Sequence, residues 1–333
     1  MTPEEHLALA TINPELEEIL KKSPPAPPLD FDNLDILTLR ATLLAQKRKL
    51  TESQSTGDVT YTEEDRQIPV RDGASIAVRI HKPKVPPEDG SPVFVVYHGG
   101  GFVLGGLDSE VLLCRKFTGL GGIAVNVDYR MAPEDPFPTP INDAYDALKW
   151  TAAHFAELGG NPEKGFLVGG ISAGAHFGAV VSHLYRDDKL SPALTGAYLS
   201  IPPCIAPELV PAKYKDVYLS REQNKDAPRL NKKSMEFFNK MYNVDPNSPL
   251  AAPSLFETHK GLPPTYFQIC GLDPLRDEAI IYEDILREQG VKTKVDFYPG
   301  LPHAFWSLWL EADFNKKYQE DCVKALRWLL EQS

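Results

Sequence analysis

Apolar and polar positions follow two different patterns along this 333-residue chain. Up to about residue 50, leucines and isoleucines recur at roughly helical spacing, whereas beyond about residue 67 short apolar runs alternate with longer amphipathic stretches. Continuous runs such as residues 93–96 are typical of parallel strands that are buried on both faces. The pattern predicts strands over residues 67–70, 75–81, 92–97, 122–127, 165–169, 196–201, 265–270 and 293–298.

Helices are expected between or after these strands, over residues 141–158, 174–187, 274–289 and 314–331. Alternation of this kind predicts an α/β fold with a doubly wound sheet, whose ligands bind beyond the carboxyl ends of the strands. The stretch at about 205–245 is rich in charge and proline and breaks the alternation. We therefore expect it to be an insertion that contributes to a cap.

The amino-terminal region predicts two amphipathic helices. Thr2, Pro3 and Glu5 form a typical helix start, and apolar residues continue at helical spacing to about residue 20. A proline-rich break at 23–28 separates this helix from a second one, which covers 34–44 and precedes a polar linker at 51–58. The predicted division is an amino-terminal helical cap segment at 1–50 and a catalytic domain at 51–333 that carries the cap insertion.

A GxSxG pentapeptide at 170–174 follows a predicted strand and opens a helix. A tight turn between strand and helix would expose Ser172 beside the unpaired N–H groups of the helix amino end. The pentapeptide alone is weak evidence, because glycine and serine are common. Three further segments strengthen the prediction that Ser172 is a nucleophile.

The first of these segments is the glycine-rich block at 98–102, directly after a strand. Consecutive glycines let backbone N–H groups converge on one point, as an oxyanion hole requires. The amides of Gly100 and Gly101, together with that of Ala173, are the predicted donors. A flexible turn or a phosphate loop is the alternative, although the chain has neither a Walker lysine nor GxGxxG spacing here.

The second segment begins with Asp273 and Pro274, at the end of an apolar strand. A carboxylate at this point can orient a catalytic imidazole. Asp followed by Pro is also an ordinary helix start, with Asp273 as N-cap and Pro274 at the first helical position. Asp277 is the second candidate for the catalytic acid.

The third segment contains His303, which follows the last predicted strand. It is the only one of the eight histidines that lies beyond both Ser172 and Asp273, so it completes the order Ser, Asp, His of α/β hydrolases. His176, one helical turn after Ser172, is the rival base. We expect His176 to be a packing residue and His303 to be the base.

These segments resemble the hormone-sensitive-lipase branch of the α/β-hydrolase fold, which includes bacterial, plant and fungal carboxylesterases. The resemblance rests on blocks at 98–102, 128–134, 170–174 and 273–278 and extends from about residue 67 to the carboxyl terminus. It implies an α/β-hydrolase fold, with a mostly parallel eight-stranded sheet flanked by helices and a helical cap. It also implies Ser172 as nucleophile, His303 as base and then acid, and Asp273 as orienting acid.

The function that the resemblance implies is hydrolysis of carboxylic esters by a serine esterase without metal or cofactor. An acyltransferase or a cyclase would use the same triad and differ only in the acceptor of the acyl group. A non-catalytic receptor for a small ligand is a third hypothesis, and the related plant receptors lack the catalytic histidine. The aromatic side chains of Phe102, Phe305 and Trp306 are expected to line a pocket for an apolar ester.

Composition narrows the possible partners. A net charge of -11 and a pI near 5.3 argue against nucleic acid or an anionic membrane surface as the main binding partner. The four cysteines lack metal-binding spacing, and no apolar stretch approaches the roughly 20 residues that span a bilayer. The acidic amino terminus does not resemble a secretory signal, so a cytoplasmic protein is expected. A homodimer is left open.

Overall fold

The structure is a computed structural model that describes residues 1–23, 34–53 and 60–333. Its centre is one eight-stranded sheet with the strand order β1-β2-β4-β3-β5-β6-β7-β8. The first two strands pair antiparallel to their neighbours, and all pairings from β4 to β8 are parallel. The strands are β1 (Tyr61–Pro69), β2 (Ser75–Pro83), β3 (Val93–Tyr97), β4 (Ile123–Asp128), β5 (Phe166–Ile171), β6 (Gly196–Ser200), β7 (Thr265–Leu272) and β8 (Thr293–Pro302).

All eight predicted strands are present, but β1 and β8 are much longer than predicted, and β2, β5 and β7 end two residues later than predicted. Strand β1 begins at Tyr61 rather than at residue 67, because residues 62–65 are polar or charged and exposed, and they give no apolar signal. This is expected of a strand at the edge of a sheet. Strand β8, at the opposite edge, continues to Pro302 and so ends directly before His303.

Helices cover both faces of the sheet. Alternate side chains of β3 show the division, because Val95 and Tyr97 join one core cluster whereas Phe94 and Val96 join another. The α-helices are α1 (Pro3–Ala8), α2 (Pro14–Lys22), α3 (Ile36–Ser53), α4 (Val111–Thr118), α5 (Thr139–Ala153), α6 (Phe155–Leu158), α7 (Ala173–Asp187), α8 (Ser220–Gln223), α9 (Lys232–Tyr242), α10 (Arg276–Glu288) and α11 (Asp313–Leu330). The helix predicted over 141–158 is divided at His154 into α5 and α6.

The predicted first helix is two helices. The capping box of Thr2 and Glu5 is present, but α1 ends at Ala8 and α2 begins at Pro14. The break occurs because Pro14 has no N–H and the side chain of Asn13 caps a new helix start. The second predicted helix extends further than expected, since α3 continues to Ser53. The proline run at 24–28 and the linker at 54–58 lie outside the described residues.

The segment between α1 and α2 lies directly on the sheet edge that carries His303. Gly300 donates its N–H to the carbonyl of Leu9 (2.7 Å) and accepts a hydrogen bond from the N–H of Asn13 (3.1 Å). A Cβ atom at Gly300 would lie 2.2 Å from backbone atoms of Asn13 and Thr11, and its φ is +67°. Only glycine allows the amino-terminal segment to approach this closely.

We expect Gly300→Ala to lower the free energy of unfolding by about 2 to 4 kcal/mol, because strain at positive φ adds to the displacement of the amino-terminal segment. Gly290→Ala is the matched control, since Gly290 has a φ of +84° but nothing within 4 Å of its would-be Cβ. The free energy of unfolding of this control should fall by only about 1 kcal/mol. Denaturant unfolding measures the free energy of unfolding of both variants. Equal decreases in the two variants would contradict the steric explanation.

None of the helices in the described ranges is long and apolar enough to cross a bilayer. The four cysteines are all buried and unpaired.

Candidate active site

Ser172 lies on the sharp turn between β5 and α7. Its backbone has a φ of 54° and a ψ of -115°, an unfavourable conformation for a residue with a side chain. A Cβ atom at Gly170 or Gly174 would lie 2.0 or 1.9 Å from the carbonyl oxygen of Tyr97. The two glycines of the pentapeptide are therefore required by the close approach of β3, and the turn projects the serine hydroxyl beyond the sheet edge.

The structure brings the three predicted catalytic side chains together. The Ser172 hydroxyl lies 3.0 Å from His303 Nε2, and His303 Nδ1 lies 2.6 Å from Asp273 Oδ2. Asp273 is 1% exposed and His303 is 8% exposed, while Ser172 is only partly buried. If Nδ1 carries the proton that it donates to Asp273, Nε2 is free to accept a proton from Ser172.

Asp273 also contacts the start of the next helix, although in a different way from the predicted N-cap. Its Oδ1 accepts a hydrogen bond from the N–H of Leu275 (2.9 Å), and α10 begins only at Arg276. The helix start was therefore predicted two residues too early. One carboxylate oxygen holds this turn while the other accepts from His303.

The rival base, His176, has a different environment from His303. Its two ring nitrogens each lie 3.0 Å from a backbone carbonyl oxygen, of Pro203 and of Leu250. Burial lowers its pKa, although the two carbonyl contacts oppose that shift. The imidazole joins α7 to two loops, and it is not hydrogen-bonded to the Ser172 side chain.

Three backbone N–H groups have no acceptor in the described part of the chain, those of Gly100, Gly101 and Ala173. The glycine loop passes beside the nucleophile, because a Cβ atom at Gly99 would lie 3.5 Å from the Cβ of Ser172. Gly100 and Gly101 belong to this loop and both have positive φ, and Ala173 opens α7. Backbone donors of this kind suit a transient oxyanion, because they need no reorganisation when charge develops.

Side chains that the motifs did not reveal hold this glycine loop in place. Glu110 accepts a hydrogen bond from the N–H of Gly99 (3.1 Å), and the Tyr129 hydroxyl donates to the carbonyl of His98 (2.7 Å). Tyr129 lies in the block at 128–134, so that block was a signal for this role. Glu110 gave no signal, because a glutamate before a helix is common.

The second candidate acid, Asp277, lies in a buried network that is separate from the serine. Its carboxylate accepts from His6 and Arg276 and from the N–H groups of Leu219 and Ser220. Burial raises the pKa of Asp277, but the hydrogen bonds from His6 and Arg276 outweigh this effect and lower it to about 2. Asp277 thereby joins α1 and α8 to the helix that follows Asp273.

This lowered pKa predicts a loss of stability in acid. The contribution of Asp277 is present above its unfolded pKa near 3.8 and declines as pH falls toward about 2, because the unfolded state then binds a proton more readily. We expect about 2 kcal/mol from this group. Urea unfolding between pH 2.5 and 6 should show a shallower pH dependence for Asp277→Asn than for the parent. Identical slopes would show that Asp277 is not the group responsible.

The predicted pocket residues lie mainly within packed aromatic clusters. Phe305 is fully buried, and the ring of Trp306 stacks on Tyr318 with 4.0 Å between centroids. Phe102 stacks on Tyr242 at 4.1 Å beside the glycine loop. Phe305 is therefore a core residue in this structure, and a substrate could reach it only after rearrangement.

The strand order, with Ser172 after β5 and His303 after β8, is that of an α/β hydrolase. Residues 94–307 match a family model described as alpha/beta hydrolase fold. The chain belongs to this family, and both the predicted fold and the family resemblance are confirmed.

Similar proteins match over most of the chain. An AB hydrolase superfamily protein of Schizosaccharomyces pombe is 39% identical over 96% of this chain and 94% of its own length. Versiconal hemiacetal acetate esterase of Dothistroma septosporum is 38% identical over 72% of this chain and 74% of its own length. The crystal structure of vibralactone cyclase superposes on this chain with a TM-score of 0.89, and the two sequences are 34% identical. The match covers 98% of this chain and 96% of that one.

Proposed function

We propose that this chain is a serine carboxylesterase that hydrolyses short- to medium-chain or small-metabolite esters through an acyl-enzyme. The observation that carries the proposal is the hydrogen-bonded series of Ser172, His303 and Asp273 beside unpaired backbone N–H groups. Membership of the family and the likeness to a named esterase support carboxylic ester hydrolysis as the reaction class.

In the proposed reaction, His303 Nε2 removes the proton of Ser172 while the serine oxygen attacks the ester carbonyl. The negative charge of the tetrahedral intermediate is stabilised by the amides of Gly100, Gly101 and Ala173. Asp273 keeps the Nδ1 proton in place and stabilises the imidazolium.

The imidazolium of His303 then protonates the departing alcohol, which leaves the acyl group on Ser172. Water attacks the acyl-enzyme with His303 again as base, and the carboxylic acid is released. The reaction needs no metal or cofactor, because the side chains and the backbone supply every proton transfer and charge contact.

We infer that the described residues of the amino-terminal segment predicted at 1–50, which are 1–23 and 34–50, form a cap over this site together with about 205–245. Contacts with the glycine loop support the inference. The ring of Phe238 in α9 lies 2.6 Å from the position that a Cβ would take at Gly101, and Leu44 in α3 lies 3.3 Å from the equivalent position at Gly106. Such a cap would limit the size of the substrate that reaches Ser172.

A second candidate reaction uses the same acyl-enzyme but passes the acyl group to an alcohol, or closes a lactone ring. The likeness to vibralactone cyclase is the observation that favours it. Hydrolysis and transfer differ in whether water reaches the acyl-enzyme, so products distinguish them. Turnover of p-nitrophenyl butyrate with and without added methanol should give butyric acid in both cases if the chain is a hydrolase.

The direct test is covalent labelling with a fluorophosphonate. We expect the purified chain to be labelled on Ser172, to lose p-nitrophenyl butyrate hydrolysis in proportion, and to be protected by an ester substrate. A non-catalytic receptor would bind without labelling. Hydrolysis that persists after complete labelling of Ser172 would contradict the proposal.

A further inference from the structure

The turn that carries Asp273 lies just beyond the end of β7. The strand ends at Leu272, and its pairing with β8 is irregular between Cys270 and Leu272. Two more residues follow Asp273 before α10 begins at Arg276. The direction in which the Asp273 carboxylate points therefore depends on the contacts that this short turn makes with other parts of the chain.

The side chain of Asn224 binds two backbone carbonyls of this turn. Asn224 directly follows α8 in the insertion at about 205–245, and it is 3% exposed. Its Nδ2 donates to the carbonyl of Gly271 (3.2 Å) and to the carbonyl of Asp273 (3.0 Å). Because an amide nitrogen has two hydrogens, each carbonyl can accept one of them. The single amide thereby holds the backbone from which the Asp273 carboxylate projects.

An asparagine suits this position because of its two donors on one nitrogen. A serine hydroxyl has only one donor, and an ionised aspartate has none. Arg276 binds the same two carbonyls, but through two separate groups, its guanidinium to Gly271 (3.2 Å) and its backbone N–H to Asp273 (3.1 Å). Asn224 binds both carbonyls with one atom and so sets the spacing between them.

The segment 220–224 is itself held against the turn. The Ser220 hydroxyl donates to the carbonyl of Pro274 (2.8 Å), and the N–H of Ser220 donates to Asp277 (2.6 Å). The N–H of Asn224 donates to the carbonyl of Ser220 (2.9 Å), so one helical turn sets the distance between the two side chains. A five-residue segment of the insertion thus binds three successive carbonyls around the candidate acid, those of residues 271, 273 and 274.

These contacts bear on catalysis because the candidate acid needs a defined position. Asp273 Oδ2 lies 2.6 Å from His303 Nδ1. A displacement of about 1 Å in such a constellation can lower the rate by on the order of 10². Within residues 1–23, 34–53 and 60–333, the Asn224 side chain is hydrogen-bonded to neither Ser172 nor His303. Any effect of Asn224 on the reaction therefore passes through the turn of Asp273.

We propose that Asn224 is a positioning residue that links the cap insertion to the triad by holding Asp273 in the orientation that His303 requires. The proposal rests on the proposed esterase function and adds to it a means by which the cap controls the catalytic acid. When the segment 220–224 moves away, the turn of Asp273 loses the amide that holds it.

Asn224→Ala and Asn224→Leu both remove the two donors. The leucine keeps roughly the volume of the asparagine and so avoids a cavity. We expect kcat for p-nitrophenyl butyrate to fall about 10- to 100-fold in each variant, with KM within about threefold of the parent value, because a misplaced acid stabilises the imidazolium of the transition state less well. Denaturant unfolding checks that each variant is folded.

Asn161→Ala is the matched control. The Asn161 side chain also binds the backbone, since Nδ2 donates to the carbonyl of Asp89 (2.6 Å) and Oδ1 accepts from the N–H of Glu163 (3.0 Å). It precedes β5 and therefore lies at the sheet edge opposite Ser172. Its kcat should stay within about twofold of the parent value.

A double-mutant cycle with Asp273→Asn separates positioning from a purely structural role. If Asn224 acts through Asp273, Asn224→Leu should lower kcat less than about threefold in the Asp273→Asn enzyme, because the acid that it positions is already gone. A side chain that only stabilises the fold would cost the same factor in both backgrounds. Equal factors would therefore overturn the proposal.

Two other results would also overturn it, a folded Asn224→Leu enzyme with kcat within twofold of the parent, and failure of both Asn224 variants to fold. The second result would show that the contact serves the fold alone. A parent chain that neither hydrolyses p-nitrophenyl butyrate nor is labelled by a fluorophosphonate would reject the esterase function, and the role of Asn224 with it. An active parent with equal losses in both backgrounds rejects only the role of Asn224.

Discussion

Ser172→Ala is expected to lower kcat/KM for p-nitrophenyl butyrate by roughly 10⁵- to 10⁶-fold, because removal of the nucleophile leaves only binding and oxyanion contacts. The fold should be unaffected, since within residues 1–23, 34–53 and 60–333 the Ser172 side chain is hydrogen-bonded to His303 alone. Steady-state kinetics and thermal unfolding of the same preparation measure the two effects. The melting temperature should stay within a few degrees of the parent value.

Ser182→Ala provides the matched control for this substitution. Ser182 lies in α7, the helix that Ser172 opens, and its hydroxyl donates to the carbonyl of Gly178 one turn earlier. Loss of this bond should leave kcat within about twofold of the parent value, because a side-chain hydrogen bond to the preceding turn adds little to the stability of a helix. A Ser172→Ala enzyme that keeps a tenth of the parent activity would mean that another group is the nucleophile.

Asp273→Asn is expected to lower kcat about 10⁴-fold with a small change in KM. An asparagine can present its NH₂ group to His303, which favours the imidazole tautomer that carries its proton on Nε2. That tautomer cannot accept the proton of Ser172. The carbonyl of the asparagine side chain can still accept from the N–H of Leu275, so the turn before α10 should persist.

Asp277→Asn separates the two candidate acids. It should reduce stability while kcat stays within about tenfold, because Asp277 contacts His6, Arg276 and α8 rather than His303. The reverse result, a folded Asp277→Asn enzyme with a 10⁴-fold loss and an active Asp273→Asn enzyme, would show that the acid is misassigned. Measuring kcat and the denaturant midpoint of unfolding for both variants distinguishes these outcomes.

Much of the fold was predictable because buried parallel strands have a local signature. A strand covered on both faces, such as β3 or β5, must be apolar at every position, and this appears as a continuous run. The first residues of β1 carry the opposite signal, since an edge strand tolerates charge. The break between α1 and α2 was overlooked because apolar spacing continues across it, although Asn13 and Pro14 are a recognisable helix start.

The candidate site was predictable to the extent that its chemistry depends on local backbone geometry and chain order. The geometry of the neighbouring backbone explains why a serine stands between two glycines, why consecutive glycines follow a strand and why a histidine follows the last strand. The positions of Glu110 and Arg40 have no such local reason. Their contacts with the glycine loop depend on how α3 and α4 pack against it, and many sequences with the same local pattern would place these side chains in solvent.

The sequence by itself determined the strand and helix alternation, the family, the turn that exposes Ser172 and the order of the three candidate catalytic residues. These features follow from hydrophobic periodicity and from glycine positions, which act over a few residues. Only the tertiary structure decided that His303 rather than His176 is hydrogen-bonded to Ser172, that Asp273 rather than Asp277 is bonded to His303, and that Phe305 belongs to the core. These two hydrogen bonds join residues that are 131 and 30 positions apart, and the partners are selected by packing of the whole chain.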